Sequence, residues 1–130
     1  MNDNGDEVAK ILVIDDSQEI LDFFDELLPS MGYKVFSEAS GESGLSLAIL
    51  CDFDLILLDI VLPQIDGDDV LMKLKQMHPN TPVIMITGND DDDKAHRCMQ
   101  LGATDFITKP FDLEYLRTSI QTALLPQGRA

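Results

Sequence analysis

Three short stretches of the chain are apolar without interruption: residues 11–14, 55–58 and 83–86. A run with no polar alternation reads as a strand covered on both faces, as in the middle of a parallel sheet. Two further stretches, 34–37 and 105–108, mix polar and apolar residues. They suit strands at the edges of a sheet, where burial is incomplete. Between these stretches apolar residues recur at helical spacing: Ile20, Phe24, Leu27, Leu28 and Met31, then Leu45, Ala48 and Ile49, then Val70, Leu71, Leu74 and Met77, and last Leu113, Leu116, Ile120 and Leu124. Residues 91–101 form the sparsest helix, with Ala95, Cys98, Met99 and Leu101 as its apolar set and Gly102 beyond it as a left-handed cap. Pro29 should stop the first helix at Leu28 or kink it there.

Strands alternating with helices imply βα repeats, a parallel sheet and right-handed crossovers that place helices on both faces. The pattern predicts a (βα)₅ doubly wound α/β domain. The edge character of the second and fifth strands favours the spatial order 2-1-3-4-5, with a switch point between strands one and three where ligands meet the carboxyl ends of the strands. One domain is expected over residues 9–125, with 1–8 and 126–130 as flexible termini.

Charge changes the picture next. The 24 acids outnumber the 9 Lys and Arg, for a net charge of −15, while 45% of the 130 residues are hydrophobic, enough for a folded core. The acidity therefore coats a folded surface and disfavours direct binding to nucleic acid or anionic membrane. No run reaches the 18 or so apolar residues of a membrane helix, and the first residues carry no signal-like apolar core, so the expected location is cytoplasmic. Cys51 and Cys98 are far apart and read as buried thiols in helices.

The chemistry gathers where the strands end. The first strand runs into Asp15 and Asp16, the third into Asp59, the fourth into Thr87, and the fifth into Thr108, Lys109 and Pro110. Three carboxylates converging at a switch point repel one another unless a cation sits among them. Mg²⁺ suits such oxygen ligands, with Mn²⁺ as the alternative. Asp16 has a competing use as the cap of the first helix, in a capping box with Glu19, which would leave the metal to Asp15 or to the pair sharing the work. Asp59 precedes a loop shaped by Pro63 and Gly67, and a carboxylate there could attack phosphorus to form an acyl phosphate. Lys109 and the Thr87 hydroxyl could then neutralise the phosphoryl oxygens together with the metal.

This set, Asp15 and Asp16, Asp59 followed by Pro63 and Gly67, Thr87 with Gly88, and Lys109 with Pro110 and Phe111, closely resembles the receiver domain of bacterial two-component response regulators, of the chemotaxis-regulator-like kind. The resemblance covers residues 9–125 and implies a flavodoxin-like three-layer fold. It implies Asp59 as the phosphoacceptor, Asp15 and Asp16 with Asp59 and the Val61 backbone carbonyl as Mg²⁺ ligands, Thr87 as the switch hydroxyl, and Lys109 as the lysine that contacts the phosphoryl group. It further implies a cis peptide between Lys109 and Pro110. Phe106 stands where the family has an aromatic rotamer switch, often Tyr; from the residues alone it is a half-buried edge-strand side chain. Leu62 replaces the more usual Met. Val61 and Asn89 occupy the positions that tune phosphoryl lifetime, and an aspartyl phosphate lasting minutes or longer is expected. The implied donor is a sensor histidine kinase or a His phosphotransfer protein. The implied output surface, through which a homodimer could also form, is the fourth helix, fifth strand and fifth helix. The implied protein is a signalling domain, an enzyme only in assisting its own phosphorylation and dephosphorylation.

Other signals read as ordinary surface. Asp90, Asp91, Asp92 and Asp93, like Asp66, Asp68 and Asp69, stand where helices begin and favour the helix dipole. His78 and His96 have no triad or ligand partner at recognisable spacing, so a donor His is expected on a partner protein. Lys94, Arg97 and Arg117 would make the fourth and fifth helices less acidic. The rival functions are three. A haloacid-dehalogenase-like phosphohydrolase wants its two acids two residues apart after the first strand, which adjacent Asp15 and Asp16 do not supply. A flavodoxin-like cofactor binder lacks its phosphate loop, and Asp15 and Asp16 would repel the phosphate. A vestigial receiver used only as an interaction module is at odds with the intact set of five marker residues.

Overall fold

The computed structural model describes residues 8–88 and 90–126. Five strands alternate with five helices: β1 (Lys10–Ile14), α1 (Gln18–Ser30), β2 (Lys34–Glu38), α2 (Gly41–Leu50), β3 (Leu55–Asp59), α3 (Gly67–Met77), β4 (Val83–Thr87), α4 (Asp92–Gln100), β5 (Asp105–Thr108) and α5 (Leu113–Ala123). All neighbouring strands pair in parallel, in the order β2-β1-β3-β4-β5. That is the predicted doubly wound order, and it puts β1 beside β3, so Asp15 and Asp59 leave the sheet side by side.

The uninterrupted apolar runs are buried from end to end in β3 and β4, whereas β2 and β5 are only partly covered. Alternate residues of each central strand feed two cores. On one face Ile11, Val13, Leu55, Leu57, Ile84 and Ile86 meet Phe24, Leu28, Leu116 and Ile120 of α1 and α5. On the other Leu12, Ile14, Ile56, Leu58 and Met85 meet Ala48, Val70, Leu71, Leu74 and Cys98 of α2, α3 and α4. Phe24 is fully buried, and emptying such a site by Phe→Ala costs about 3–5 kcal/mol. No helix among the described residues is long and apolar enough to cross a membrane.

Several local expectations are corrected. The first helix does not stop at Leu28: α1 continues through Pro29 to Ser30. A proline in the last turn forfeits only its own hydrogen bond, to the carbonyl of Asp25, and the helix end is closed by Ser30 Oγ and the Met31 N–H, both donating to Leu27 O at 2.6 and 3.1 Å. The cap of α1 is Ser17, whose Oγ accepts from the Ile20 N–H at 3.4 Å, and Asp16 takes no part. Cys98 is buried in α4, where burial pushes its thiol up to about 11; Cys51 is not within a helix but caps α2, half-buried. His78 is structural: its Nε2 lies 2.8 Å from Ala48 O, stapling the end of α3 to α2. On the outer edge, Asp105 accepts from the Tyr115 hydroxyl (2.8 Å) and Ser119 Oγ (2.6 Å), which binds α5 to β5.

Candidate functional site

The site is the carboxyl rim of β1, β3, β4 and β5. Asp15 follows β1 and is fully buried, its backbone held by donation of its N–H to Glu38 O (3.1 Å). Its Oδ1 accepts from the Ser17 N–H (2.9 Å), so the turn into α1 orients the carboxylate. Its Oδ2 is buried without a hydrogen-bond partner. Asp16 is exposed beside it. Asp59, the last residue of β3, is 6% exposed; its Oδ1 accepts from the Val61 N–H at 3.2 Å.

Among the described residues Lys109 supplies the one cation at this rim. Its Nζ lies 3.5 Å from Asp15 Oδ2 and 3.9 Å from Asp59 Oδ2, and its backbone N–H donates to Thr87 O at 2.8 Å, tying the end of β5 to the end of β4. The peptide between Lys109 and Pro110 is cis. Thr87 is buried, and its Oγ1 has no hydrogen-bond partner. Buried polar atoms are rarely left unpaired, because each costs about 1–3 kcal/mol. The Thr87 hydroxyl, together with Asp15 Oδ2, which has the Lys109 ammonium at 3.5 Å but accepts no hydrogen bond, marks a place built to receive something.

Electrostatics agree with that reading. Burial, and then the facing Asp15 carboxylate, push Asp59 from its ordinary 3.8 up to about 7, against the lowering pull of Lys109 and the Val61 amide. Burial likewise raises Asp15. One ammonium does not balance three acids. Carboxylate oxygens of Asp15, Asp16 and Asp59 all lie within 4.8 Å of one another, the spacing at which one ion could touch all three. The donor set is oxygen alone and includes Asp15 Oδ2, which accepts no hydrogen bond; this fits a hard divalent cation such as Mg²⁺.

Residues 11–121 match the family model of the response regulator receiver domain. The chain belongs to that family. Response regulator ArlR of Staphylococcus aureus is 36% identical over 120 residues, covering 92% of this chain and 54% of ArlR; the chain thus spans about half the length of the curated relatives it matches. Among solved structures, a CheY-like response regulator receiver domain protein from Methanospirillum hungatei superposes with a TM-score of 0.86 at 31% identity, over 91% of this chain and 94% of that one. NtrX from Brucella abortus, solved with ADP, gives 0.86 at 33% identity, over 91% of this chain and 27% of NtrX.

Around the rim of this receiver domain the remaining expected residues spread out. Val61 is 47% exposed at the mouth. Asn89 lies outside the described residues. Phe106 sits opposite Met85 in the β4–β5 register, half-buried, with the His96 ring of α4 edge-on at 6.2 Å between centroids. Lys94 and Arg97 do not lighten the face that α4 shares with β5 and α5. They turn the other way and pair with Asp66 and Asp68 at the start of α3, at 3.6 and 3.2 Å. The residue that sequence reasoning missed is Ser17, which caps α1 and whose amide aims Asp15. Its signal was present, since Ser is a strong N-cap and stands directly before the helix.

Proposed function

We propose that the domain accepts a phosphoryl group on Asp59 from the phosphohistidine of a sensor histidine kinase or a His phosphotransfer protein, in the cytoplasm, and relays the change to a partner through α4, β5 and α5. The observation that carries this reading is the meeting of Asp15, Asp16 and Asp59 with the Lys109 ammonium and the unpartnered Thr87 hydroxyl at one rim.

In the proposed transfer a carboxylate oxygen of Asp59 forms a bond to phosphorus as the phosphorus–nitrogen bond of the donor imidazole breaks, and the ring nitrogen keeps the electron pair. Lys109 supplies positive charge to the phosphoryl oxygens, and the Thr87 Oγ1 donates to one of them. Asp15, Asp16 and Asp59, with the Val61 carbonyl, would hold Mg²⁺, which when bound neutralises charge on the carboxylates and on the incoming phosphoryl group. Small phosphodonors would serve equally, so the domain assists its own phosphorylation.

Engaging Thr87 would pull its hydroxyl toward Asp59 and leave room beneath Phe106, whose ring carries no hydroxyl and must therefore signal by packing alone. Phosphorylation then biases two arrangements of the surface made by α4, β5 and α5, as any ligand must by binding one state better than the other. The same surface is the proposed place for homodimer pairing. Exposed Val61 offers no side-chain hydrogen bond to a hydrolytic water, which supports an acyl phosphate lasting minutes or longer. Incubation with acetyl phosphate and Mg²⁺ followed by intact-mass measurement tests the reading. One added phosphoryl mass on the wild type and none on Asp59→Asn is expected; an unmodified wild type would refute it.

A further inference from the structure

Gly67 is the first residue of α3, and its N–H donates to Ile60 O at 2.8 Å. A side-chain carbon placed on it would overlap the carbonyl oxygen of Asp59 and lie 2.6 Å from Ile60 O and 2.7 Å from Ile60 Cα. All three neighbours are backbone atoms, which cannot rotate aside. Gly41 and Gly44 are also tight, but they press on side-chain carbons of Ile65, Val70 and Ile14. Nor does Gly67 owe its identity to a left-handed backbone, since among the described glycines only Gly32 and Gly102 have positive φ. What position 67 requires is space.

That space lies against the peptide that carries Asp59. On its other side the Ile60 N–H donates to Ile86 O at the end of β4 (3.0 Å), and the Val61 N–H turns back to Asp59 Oδ1 (3.2 Å). The Asp59–Ile60 peptide is thus gripped between α3 and β4, and the carboxylate is fixed to the segment so gripped. We infer that Gly67 is a positioning residue for Asp59: by lacking a side chain it lets α3 close on this peptide and sets how far the carboxylate stands from Asp15 and Lys109. The inference rests on the proposed role of Asp59 as phosphoacceptor.

Relieving the overlap from Gly67→Ala to an ordinary carbon contact moves the peptide by about 1 Å, and a misplacement of that size costs about 100-fold in rate. Gly102→Ala is the control. Its φ of +109° makes a side chain strained, yet it lies at the amino end of β5 with only Lys75 side-chain carbons near, at 3.7 Å and beyond. Urea unfolding, Mg²⁺ titration and the initial rate of phosphoryl uptake from acetyl phosphate should be measured on the whole chain for both variants.

Per folded molecule, Gly67→Ala should lose about 100-fold in uptake rate and bind Mg²⁺ more weakly, while Gly102→Ala keeps both wild-type values despite lower stability. A folded Gly67→Ala with wild-type rate and Mg²⁺ affinity overturns the inference. Should that variant not fold, glycolic acid at position 67 removes the N–H donor and adds no side chain; a rate reduced about fivefold supports the inference, and an unchanged rate overturns it. If the wild type takes up no phosphoryl group, the role of Asp59 fails, and the Mg²⁺ titration alone decides whether Gly67 positions the carboxylates.

Discussion

Replacing Asp59 by Asn is expected to stabilise the metal-free domain above neutral pH. Burial and the Asp15 carboxylate raise Asp59 from 3.8 to about 7. The folded state thus holds the proton more tightly than the unfolded chain, so its stability is full below pH 3.8 and falls as pH rises to about 7. At about 1.4 kcal/mol for each pH unit between those values, the wild type at pH 8 carries a penalty of about 4 kcal/mol. Asn keeps an oxygen for the Val61 N–H and carries no charge, so the variant should be more stable by about that amount at pH 8 and by about 2 kcal/mol at pH 5. The chain has no Trp, so urea unfolding followed by far-UV circular dichroism in EDTA is the suitable assay. Mg²⁺ at about 100 times its dissociation constant should then return about 2.7 kcal/mol to the wild type, and much less to the variant. An Asp59→Asn protein less stable than wild type at pH 8 in EDTA, or a difference that does not change between pH 5 and pH 8, would refute the reasoning.

Separating Asp16 from the helix cap has a direct test: Asp16→Asn should weaken Mg²⁺ binding in calorimetric titration with stability in EDTA kept within about 0.5 kcal/mol. Ser17→Ala should do the opposite, losing about 1 kcal/mol of stability with its Mg²⁺ affinity retained. Because Asp59 holds its proton up to about 7, Mg²⁺ affinity should fall as pH drops below that value, and binding near pH 6.5 should release protons. Equal apparent enthalpies in two buffers of different ionisation heat would contradict this. Thr87→Ala removes a buried hydroxyl that has no partner and should leave stability within about 1 kcal/mol. It should still take a phosphoryl group while losing the phosphorylation-induced amide shifts of α4 and β5; a variant with those shifts intact would remove Thr87 from the switch.

The sheet was legible because its three central strands must be apolar on both faces, which leaves the runs at 11–14, 55–58 and 83–86 with no other sensible reading. The edge strands followed from their mixed polarity, and strand order then brought Asp15, Asp59, Thr87 and Lys109 to one rim. What escaped depended on rotation and phase. Asp16 and Ser17 are both competent caps, and only the direction in which the chain leaves β1 decides between them. In α4 only Ala95 and Cys98 are buried, too sparse a stripe to fix the helix phase, so the pairing of Lys94 and Arg97 with α3 could not be read. The stop at Leu28 did not occur because a proline breaks a helix at its middle but costs little in the last turn. The crowding at Gly67 involves backbone from another element, which no local pattern records.

The bond from Tyr115 to Asp105 has an optical consequence. Tyr115 is one of 2 tyrosines in the chain, and its hydroxyl lies 3.0 and 2.8 Å from the two Asp105 oxygens. A phenol so bonded to a carboxylate passes its proton across in the excited state and loses its emission. Any event that parts α5 from β5 would therefore brighten the ultraviolet fluorescence of the unlabelled protein, giving the outer edge of the sheet a light signal of its own.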